Sequence, residues 1–291
     1  MRLHLVDGTY ELYRAHFAPR PGHLAPSGKD AKATTGIVES LLALLHDSEE
    51  AVTHIAVAFD NPIRSFRNDL FLPYKSDEGV PPELRAQFDS AEDAVRAIGI
   101  AVWSMREYEA DDGLASGANR FRDQVEQVRI MTPDKDLGQC LLGDRVVQVD
   151  RRQKKVTNET TFRAERGFGP HSIPDFLALA GDSADGFPGL PGFGKKTASL
   201  LLGVYEHLEE IPADPLQWKA KPRGAIQLGA TLVEHFEEAL LYRKLATLVE
   251  TVPIADSLEE LEFRGVPKAR FEKWCEELGV ARLKSVPRRW Q

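Results

Sequence analysis

The sequence predicts an α/β domain with a mostly parallel sheet, followed by a helical region, and three observations carry that reading. Apolar runs of strand length alternate with segments of helical spacing as far as about residue 165, the pattern of a parallel α/β sheet. Beyond that point the strand signals stop, Gly and Pro cluster between Gly181 and Gly194, and helical spacing continues. The chain has 291 residues, 42% of them hydrophobic, which is enough to bury a large core and excludes disordered and fibrous classes.

The first strand is Leu3-His4-Leu5-Val6, and helical spacing returns from Ile37 to Leu45 after a Pro- and Gly-rich loop, Ala18 to Ala33. A second strand, Ile55-Ala56-Val57-Ala58-Phe59, leads into the long loop Asn61 to Pro82, which has four prolines; long loops in compact domains are usually functional. Then come a helix from Leu84 to Ile98, a strand at Ile100-Ala101-Val102-Trp103 and a helix from Leu114 to Val125. Strands at Val128-Arg129-Ile130-Met131 and Val146-Val147-Gln148-Val149 complete the sheet. Helices over Leu200–Leu208, Leu228–Leu248 and Phe271–Leu278 follow. The expected division is an α/β core over 1–168 and a helical region over 169–291.

No apolar stretch approaches the roughly 18 residues that span a bilayer, and Asp7 interrupts the N-terminus before a signal-peptide core forms, so no membrane partner is expected. Cys140 and Cys275 are too few for a disulfide framework or a structural zinc site, which suits the cytoplasm. The formal charge is 37 − 45 = −8, on average unlike a nucleic-acid binder.

The distribution of charge changes that inference. Asp7 and Asp60 follow the first two strands, and Asp134 and Asp136 follow the strand ending at Met131, so three strands deliver acids to the sheet edge where ligands bind. Glu109, Asp111 and Asp112 open a helix, where the dipole tolerates acids, and Asp182 and Asp185 lie in a loop. Singly these read as a helix cap, a turn and a solvated loop. Together they are nine, one more than the net charge, which leaves the rest of the chain at about +1 and able to face a polyanion. Converging carboxylates at ~4 Å repel by roughly 4 kcal/mol per pair, so cations must neutralise them. An all-oxygen donor set, with His4, His16, His54 and His171 scattered, selects Mg²⁺ or Mn²⁺ over zinc. Two such ions suit in-line displacement at phosphorus.

The run Gly189-Leu190-Pro191-Gly192-Phe193-Gly194-Lys195-Lys196-Thr197-Ala198 fits neither nucleotide-binding glycine motif. Lys196 stands where a phosphate loop needs Ser or Thr, and Thr197 where the dinucleotide fingerprint needs its third glycine. What remains is a hairpin between helices, whose glycines admit a phosphate strand and whose lysines add charge. A plain helical turn with solvated lysines stands beside it.

Together these residues resemble the 5′-nuclease family found at the N-terminus of bacterial DNA polymerase I, with phage, archaeal and eukaryotic flap-endonuclease relatives. The resemblance runs through Leu5-Val6-Asp7-Gly8, Val57-Ala58-Phe59-Asp60, Phe66-Arg67, Tyr74-Lys75, Tyr108-Glu109-Ala110-Asp111-Asp112, Thr132-Pro133-Asp134-Lys135-Asp136-Leu137 and Gly181-Asp182-Ser183-Ala184-Asp185 to the hairpin. It implies a PIN-like 5′-nuclease core with a helix-hairpin-helix (helix-three-turn-helix) region. It also implies a two-metal 5′-3′ exonuclease or flap endonuclease acting in DNA replication or repair. One metal would be held by Asp7, Asp60, Glu109, Asp111 and Asp112, and the second by Asp134, Asp136, Asp182 and Asp185. The segment 61–83 would form an arch in which Arg67 and Lys75 steer the scissile phosphate and Tyr74 stacks on a base. Gly189, Gly192, Gly194, Lys195, Lys196 and Thr197 would bind duplex DNA, with K⁺ at the hairpin. The expected substrates are 5′-flap, nicked or 5′-tailed duplex, and the expected state is a free-standing monomer.

One departure stands in the arch, where the family often reads Tyr-Lys-Ala-Gly-Arg and this chain has Tyr74-Lys75-Ser76-Asp77-Glu78. Two alternatives stay open: a non-catalytic binder of branched DNA, disfavoured because no acid is missing, and a PIN-like ribonuclease, disfavoured by the hairpin.

Overall fold

A computed structural model describes residues 1–291, and the chain forms two compact units that interleave along the sequence. The first comprises residues 1–65, 77–132 and 250–291, and the second residues 66–76 and 133–249.

In the first unit β1 (Arg2–Asp7), β2 (His54–Asp60), β3 (Ala101–Met105) and β4 (Gln127–Met131) run parallel in the order β3-β2-β1-β4. Every residue of β2 is buried, as are the last five of β1; strands covered on both faces read as continuous apolar runs rather than alternations. The pairing aligns Val6 with Val57 on one side and with Met131 on the other. The chain therefore moves outward from β1 through β2 to β3, then crosses back to β4. The strand order reverses between β1 and β4, which makes the carboxyl end of β1 a topological switch point where ligands characteristically bind. Asp7 is the last residue of that strand.

Around these strands lie the helices α1 (Gly8–Phe17), α2 (Lys32–Leu45), α4 (Pro82–Arg85), α5 (Phe88–Ala97), α6 (Ala110–Phe121) and α12 (Lys268–Leu278). Gly8 lets α1 begin directly behind Asp7, since a Cβ there would lie 2.7 Å from the carbonyl oxygen of Ala58 and from the ring of Phe59. The expected helix over 84–98 breaks into α4 and α5 at Ala86–Gln87. Gln87 accounts for the break: its buried Oε1 accepts hydrogen bonds from the backbone N–H groups of Ala33 and Thr34, both at 3.0 Å, and from the Thr34 hydroxyl at 3.2 Å. The N-cap residue of α2, Ala31, has no capping side chain; Asp30 takes the Lys32 N–H at 2.9 Å, and Gln87 satisfies the next two donors from a distant segment.

The second unit holds an antiparallel pair, β5 (Val146–Asp150) with β6 (Lys155–Thr157), and the helices α3 (Arg67–Leu70), α7 (Glu159–Arg166), α8 (Ile173–Ala180), α9 (Lys195–Tyr205), α10 (Ala225–Glu234) and α11 (Phe236–Ala246). Strand β6 was not expected, because Lys155-Val156-Thr157 is too short and polar to carry a strand signal. The expected helix over 228–248 is interrupted at His235, which leaves helical backbone geometry and shares a 2.7 Å hydrogen bond with Glu238 in the first turn of α11. The unit's core is aromatic: Phe168 stacks on Phe176 at 5.0 Å, Phe187 stacks on Tyr242 at 5.6 Å, and Trp218 is buried. The sequence-order division at 168 and 169 differs from these units, because residues 133–168 pack with the later helices and the C-terminal α12 packs on α5.

Gln87→Ala strips the acceptor from two buried N–H groups, and chemical denaturation should show a loss of about 3 kcal/mol, against about 1 kcal/mol for an ordinary hydrogen bond.

Candidate metal centre and nucleic-acid interface

Five of the predicted acids lie in the first unit. Asp7 caps α1, its Oδ1 accepting from the N–H of Tyr10 at 2.8 Å and its Oδ2 from the Thr132 hydroxyl at 3.0 Å. Asp60 ends β2, and its Oδ1 accepts from the N–H of Ala110 at 2.7 Å, while its own N–H donates to the Thr9 hydroxyl at 2.8 Å. Glu109 is the N-cap of α6 and takes a 2.7 Å hydrogen bond from Ser65, and Asp112 accepts from the Glu109 N–H at 3.0 Å. Asp7, Asp60, Glu109 and Asp112 are buried, and Asp111 is half-buried. Strand ends and one helix start thus fix Asp7, Asp60, Glu109 and Asp112 through backbone donors.

The second unit gathers its acids more tightly. Single oxygens of Asp136, Asp182 and Asp185 lie within 4.8 Å of one another. Asp136 comes from a short 3₁₀ turn after β4, and Asp182 and Asp185 from the loop after α8. That loop is closed by hydrogen bonds from the N–H groups of Gly186 and Phe187 to the Asp182 carbonyl, at 3.0 and 3.1 Å, and from Ala184 N–H to Asp182 Oδ1 at 2.9 Å. Asp134 is exposed and stands outside the triad; its Oδ1 accepts from the Asp136 N–H at 2.9 Å, the turn-capping role that its local sequence also allowed.

The triad has the features a divalent cation requires. Its donors are all carboxylate oxygens, and Asp136 Oδ1 is buried without a hydrogen-bond partner. Burial, then the neighbouring charges of Asp134, Asp185 and Asp182, push the Asp136 carboxyl up to about 8 against the pull of Lys135. The Lys135 ammonium donates to Asp182 Oδ2 and lies 3.8 Å from Asp136 Oδ1. The sequence reading gave Lys135 no role; the signal for it was its place between Asp134 and Asp136.

Lys75 reaches this cluster as well, with Nζ 3.8 Å from Asp185 Oδ1 and its N–H donating to the Asp185 carbonyl at 3.1 Å. Arg67 sits differently: its side chain is 1% exposed, Nε donating to Leu245 O at 2.7 Å and a terminal nitrogen to Thr247 O at 2.9 Å, so it ties α3 to the end of α11. Asn68, next to it, donates to the carbonyls of Tyr74 and Lys75 at 3.3 and 2.9 Å. Asn68 thus holds the Lys75 segment, and Arg67 anchors the start of the helix that carries Asn68. Tyr74 corrects an expectation: it is 4% exposed within the hydrophobic core of its unit, because an aromatic ring in that cluster gains more from burial than from solvent, and it offers no face to a base. Asp77 and Glu78 are exposed.

The hairpin joins α8 to α9. Leu190 N–H donates to Leu179 O at 3.0 Å, and Gly189 lies so close to the end of α8 that a Cβ on it would fall 2.3 Å from the nitrogen of Gly181. Gly189 and Gly192 have φ of +72° and +81°, which favours glycine. Gly194 is different, with φ of −108° and no atom within 4 Å of an added Cβ. The turn does not require it, so its bare backbone leaves open space beside the exposed Lys195 and Lys196; Thr197 is half-buried.

Two outcomes follow. Since the Asp136 carboxyl stays protonated below about pH 8, a cation must displace that proton, and apparent affinity should rise by up to about tenfold per pH unit until pH 8. Without cations, stability should fall as pH climbs from the ordinary carboxylate range toward 8, because the folded state holds the extra proton. Melting temperatures with and without Mn²⁺ at pH 6 and 8.5 should show the larger increment at 8.5, and Asp136→Asn should abolish the difference. At the hairpin, Gly189→Ala should cost about 3 kcal/mol in denaturant unfolding, from strained φ and backbone overlap, and Gly194→Ala less than about 0.5 kcal/mol.

Comparison with known proteins places the chain in a family. Residues 2–167 match the family described as 5′-3′ exonuclease, N-terminal resolvase-like domain, and residues 168–269 match 5′-3′ exonuclease, C-terminal SAM fold. The chain is 34% identical over 270 residues to a 5′-3′ exonuclease of Bacillus subtilis, covering 90% of this chain and 88% of that protein. To DNA polymerase I of Bacillus caldotenax it is 34% identical over 284 residues, covering 96% of this chain but only 31% of that protein, so it spans under a third of the polymerase. In fold it is similar, with a TM-score of 0.62 at 18% identity, to the bacteriophage T5 flap endonuclease in a pseudo-enzyme-product complex with DNA and metal ions, covering 97% of this chain and 100% of that one. No helix is long and apolar enough to cross a membrane. With both domain types matched in order and a bacterial exonuclease covered over most of its length, the chain belongs to the 5′-3′ exonuclease family and is a nuclease.

Proposed function

We propose that the chain is a divalent-cation-dependent 5′ nuclease that hydrolyses phosphodiester bonds in DNA bearing a 5′ flap, a 5′ tail or a nick, in replication or repair. The observation that carries this reading is the triad of Asp136, Asp182 and Asp185, with an unbonded buried oxygen on Asp136. Mg²⁺ or Mn²⁺ fits those hard donors, with Asp134 joining when the site is loaded. Asp7, Asp60, Glu109, Asp111 and Asp112 hold a second ion. Bound cations supply an activated water and stabilise the leaving oxygen.

The chain's own residues do the remaining work. Lys75, beside Asp185, donates to the phosphate oxygen that gains charge, which lowers the barrier because the interaction strengthens in the transition state. Arg67 keeps that lysine's segment in place. Gly189, Gly192, Gly194, Lys195, Lys196 and Thr197 grip the duplex backbone, with K⁺ at the hairpin, and contribute uniform binding rather than chemistry. The protein acts as a monomer in the cytoplasm. The bacterial relative named an exonuclease and the T5 enzyme solved with DNA and metal ions support the choice of substrate class.

The test is cleavage of 5′-flap, nicked and single-stranded DNA with Mg²⁺, Mn²⁺ or EDTA. Asp136→Asn and Asp182→Asn should each lower single-turnover cleavage at least about a hundredfold while flap binding in Ca²⁺ persists. Near-normal turnover in both variants would sink the metal reading.

A further inference from the structure

A cleft of about 490 Å³ in the second unit joins two features otherwise treated apart, the acid triad and the hairpin. Asp182 and Lys135 form part of its wall, and Lys195, the first residue of α9, forms another part. A third cation lines it from a separate element: Arg166, the last residue of α7, which the nuclease reading leaves without a role. Arg166 and Lys195 are both exposed, and neither has a hydrogen bond or ion pair to a carboxylate. The charged side chains that line the cleft itself are Lys135, Arg166 and Lys195 against Asp182, with Asp136 and Asp185 next to Asp182. Lys135 is already matched by Asp182, which leaves the free charge on Arg166 and Lys195. The wall also includes Gly181 and Gly186 and the buried Phe176 and Phe187.

Two cations from unconnected elements, unpaired and facing one cleft beside backbone without side chains, describe a site for an anion with a bulky neutral flank. A guanidinium offers a planar fork that grips a phosphate through two N–H groups, and an ammonium adds a point charge. We propose that Arg166 and Lys195 clamp one backbone phosphate of the bound DNA strand, in the stretch between the acid triad and the hairpin. The clamp rests on the nuclease reading for the identity of the strand, and it deepens that reading by setting which part of the strand the second unit holds. Its contacts are made equally before and during cleavage, so it acts on affinity first.

The full chain and its variants Arg166→Ala and Arg166→Lys are titrated with 5′-flap DNA in Ca²⁺ across a salt series, beside single-turnover cleavage in Mg²⁺. Arg166→Ala should weaken binding by about tenfold at low salt and flatten the slope of log K against log salt by about 0.9, one phosphate contact. Its cleavage rate at saturating enzyme should fall by less than its affinity. Arg166→Lys should restore the slope but only part of the affinity, since the charge returns without the fork. A change in fold would appear as a lower melting temperature, which an exposed, unbonded arginine should not produce. Inorganic phosphate and a deoxynucleoside monophosphate, titrated alone, separate the sources of the anion. Millimolar or weaker binding of both supports a strand phosphate held by its neighbours. Tight binding of the mononucleotide, lost in Arg166→Ala while the flap salt slope stays at the wild-type value, overturns the clamp in favour of a nucleotide site. Unchanged affinity and slope in Arg166→Ala overturn it outright. Failure of the wild type to cut DNA would instead overturn the nuclease reading, with the salt series still deciding the clamp.

Discussion

Three carboxylates whose oxygens lie within 4.8 Å of one another, one of them on a buried side chain with a free oxygen, set the terms for much of the second unit. Each pair at that separation repels by about 3 kcal/mol at an effective dielectric of 20, and burial removes the water that would otherwise screen them. The folded chain offsets this in two ways visible in the structure: Lys135 donates its ammonium to Asp182 beside Asp136, and Asp136 holds its proton to about pH 8. Both are provisional neutralisations that a divalent ion can replace, which is how a site can be folded before loading and still bind when metal arrives. The surrounding loop supplies the rigidity this demands. Hydrogen bonds between Asp182 and the N–H groups of Ala184, Gly186 and Phe187 hold the carboxylates together against their repulsion.

The first unit solves the same problem by different means. Its acids end strands or begin helices, where backbone N–H groups and hydroxyls point at them. Such donors stabilise an anion while the helix starts are capped. Function and local stability here share one set of contacts. A substitution of Asp7 or Glu109 would therefore disturb a cap as well as a candidate ligand.

Around the hairpin, glycine plays two separate roles. At 189 and 192 the backbone takes positive φ, and at 189 it packs against the end of α8 where no side chain would fit. At 194 neither constraint applies, and what the missing side chain leaves is access. Arg166 extends the same basic surface from a third element, so phosphate-directed charge in this acidic protein comes from residues set apart along the chain rather than from a basic run.

What the sequence by itself determined was the order and kind of the parts. The strands ending at Asp7 and Asp60, the acids opening the helix after residue 108, and the helix-turn-helix around Gly189 all follow from patterns within a few residues, because periodicity, caps and turns are local physics. The break in the helix at Gln87 was not legible, since it comes from an amide that caps a helix some fifty positions earlier in the chain. The tertiary structure alone decided that single oxygens of Asp136, Asp182 and Asp185 lie within 4.8 Å of one another, with Lys135 as a counter-charge. It also turned Arg67 toward carbonyls of a distant helix end and Tyr74 into the core, and put Arg166 and Lys195 on the wall of one cleft. Those outcomes depend on how segments far apart in the chain pack, where burial of one side chain competes with exposure of another, and no local pattern encodes the winner.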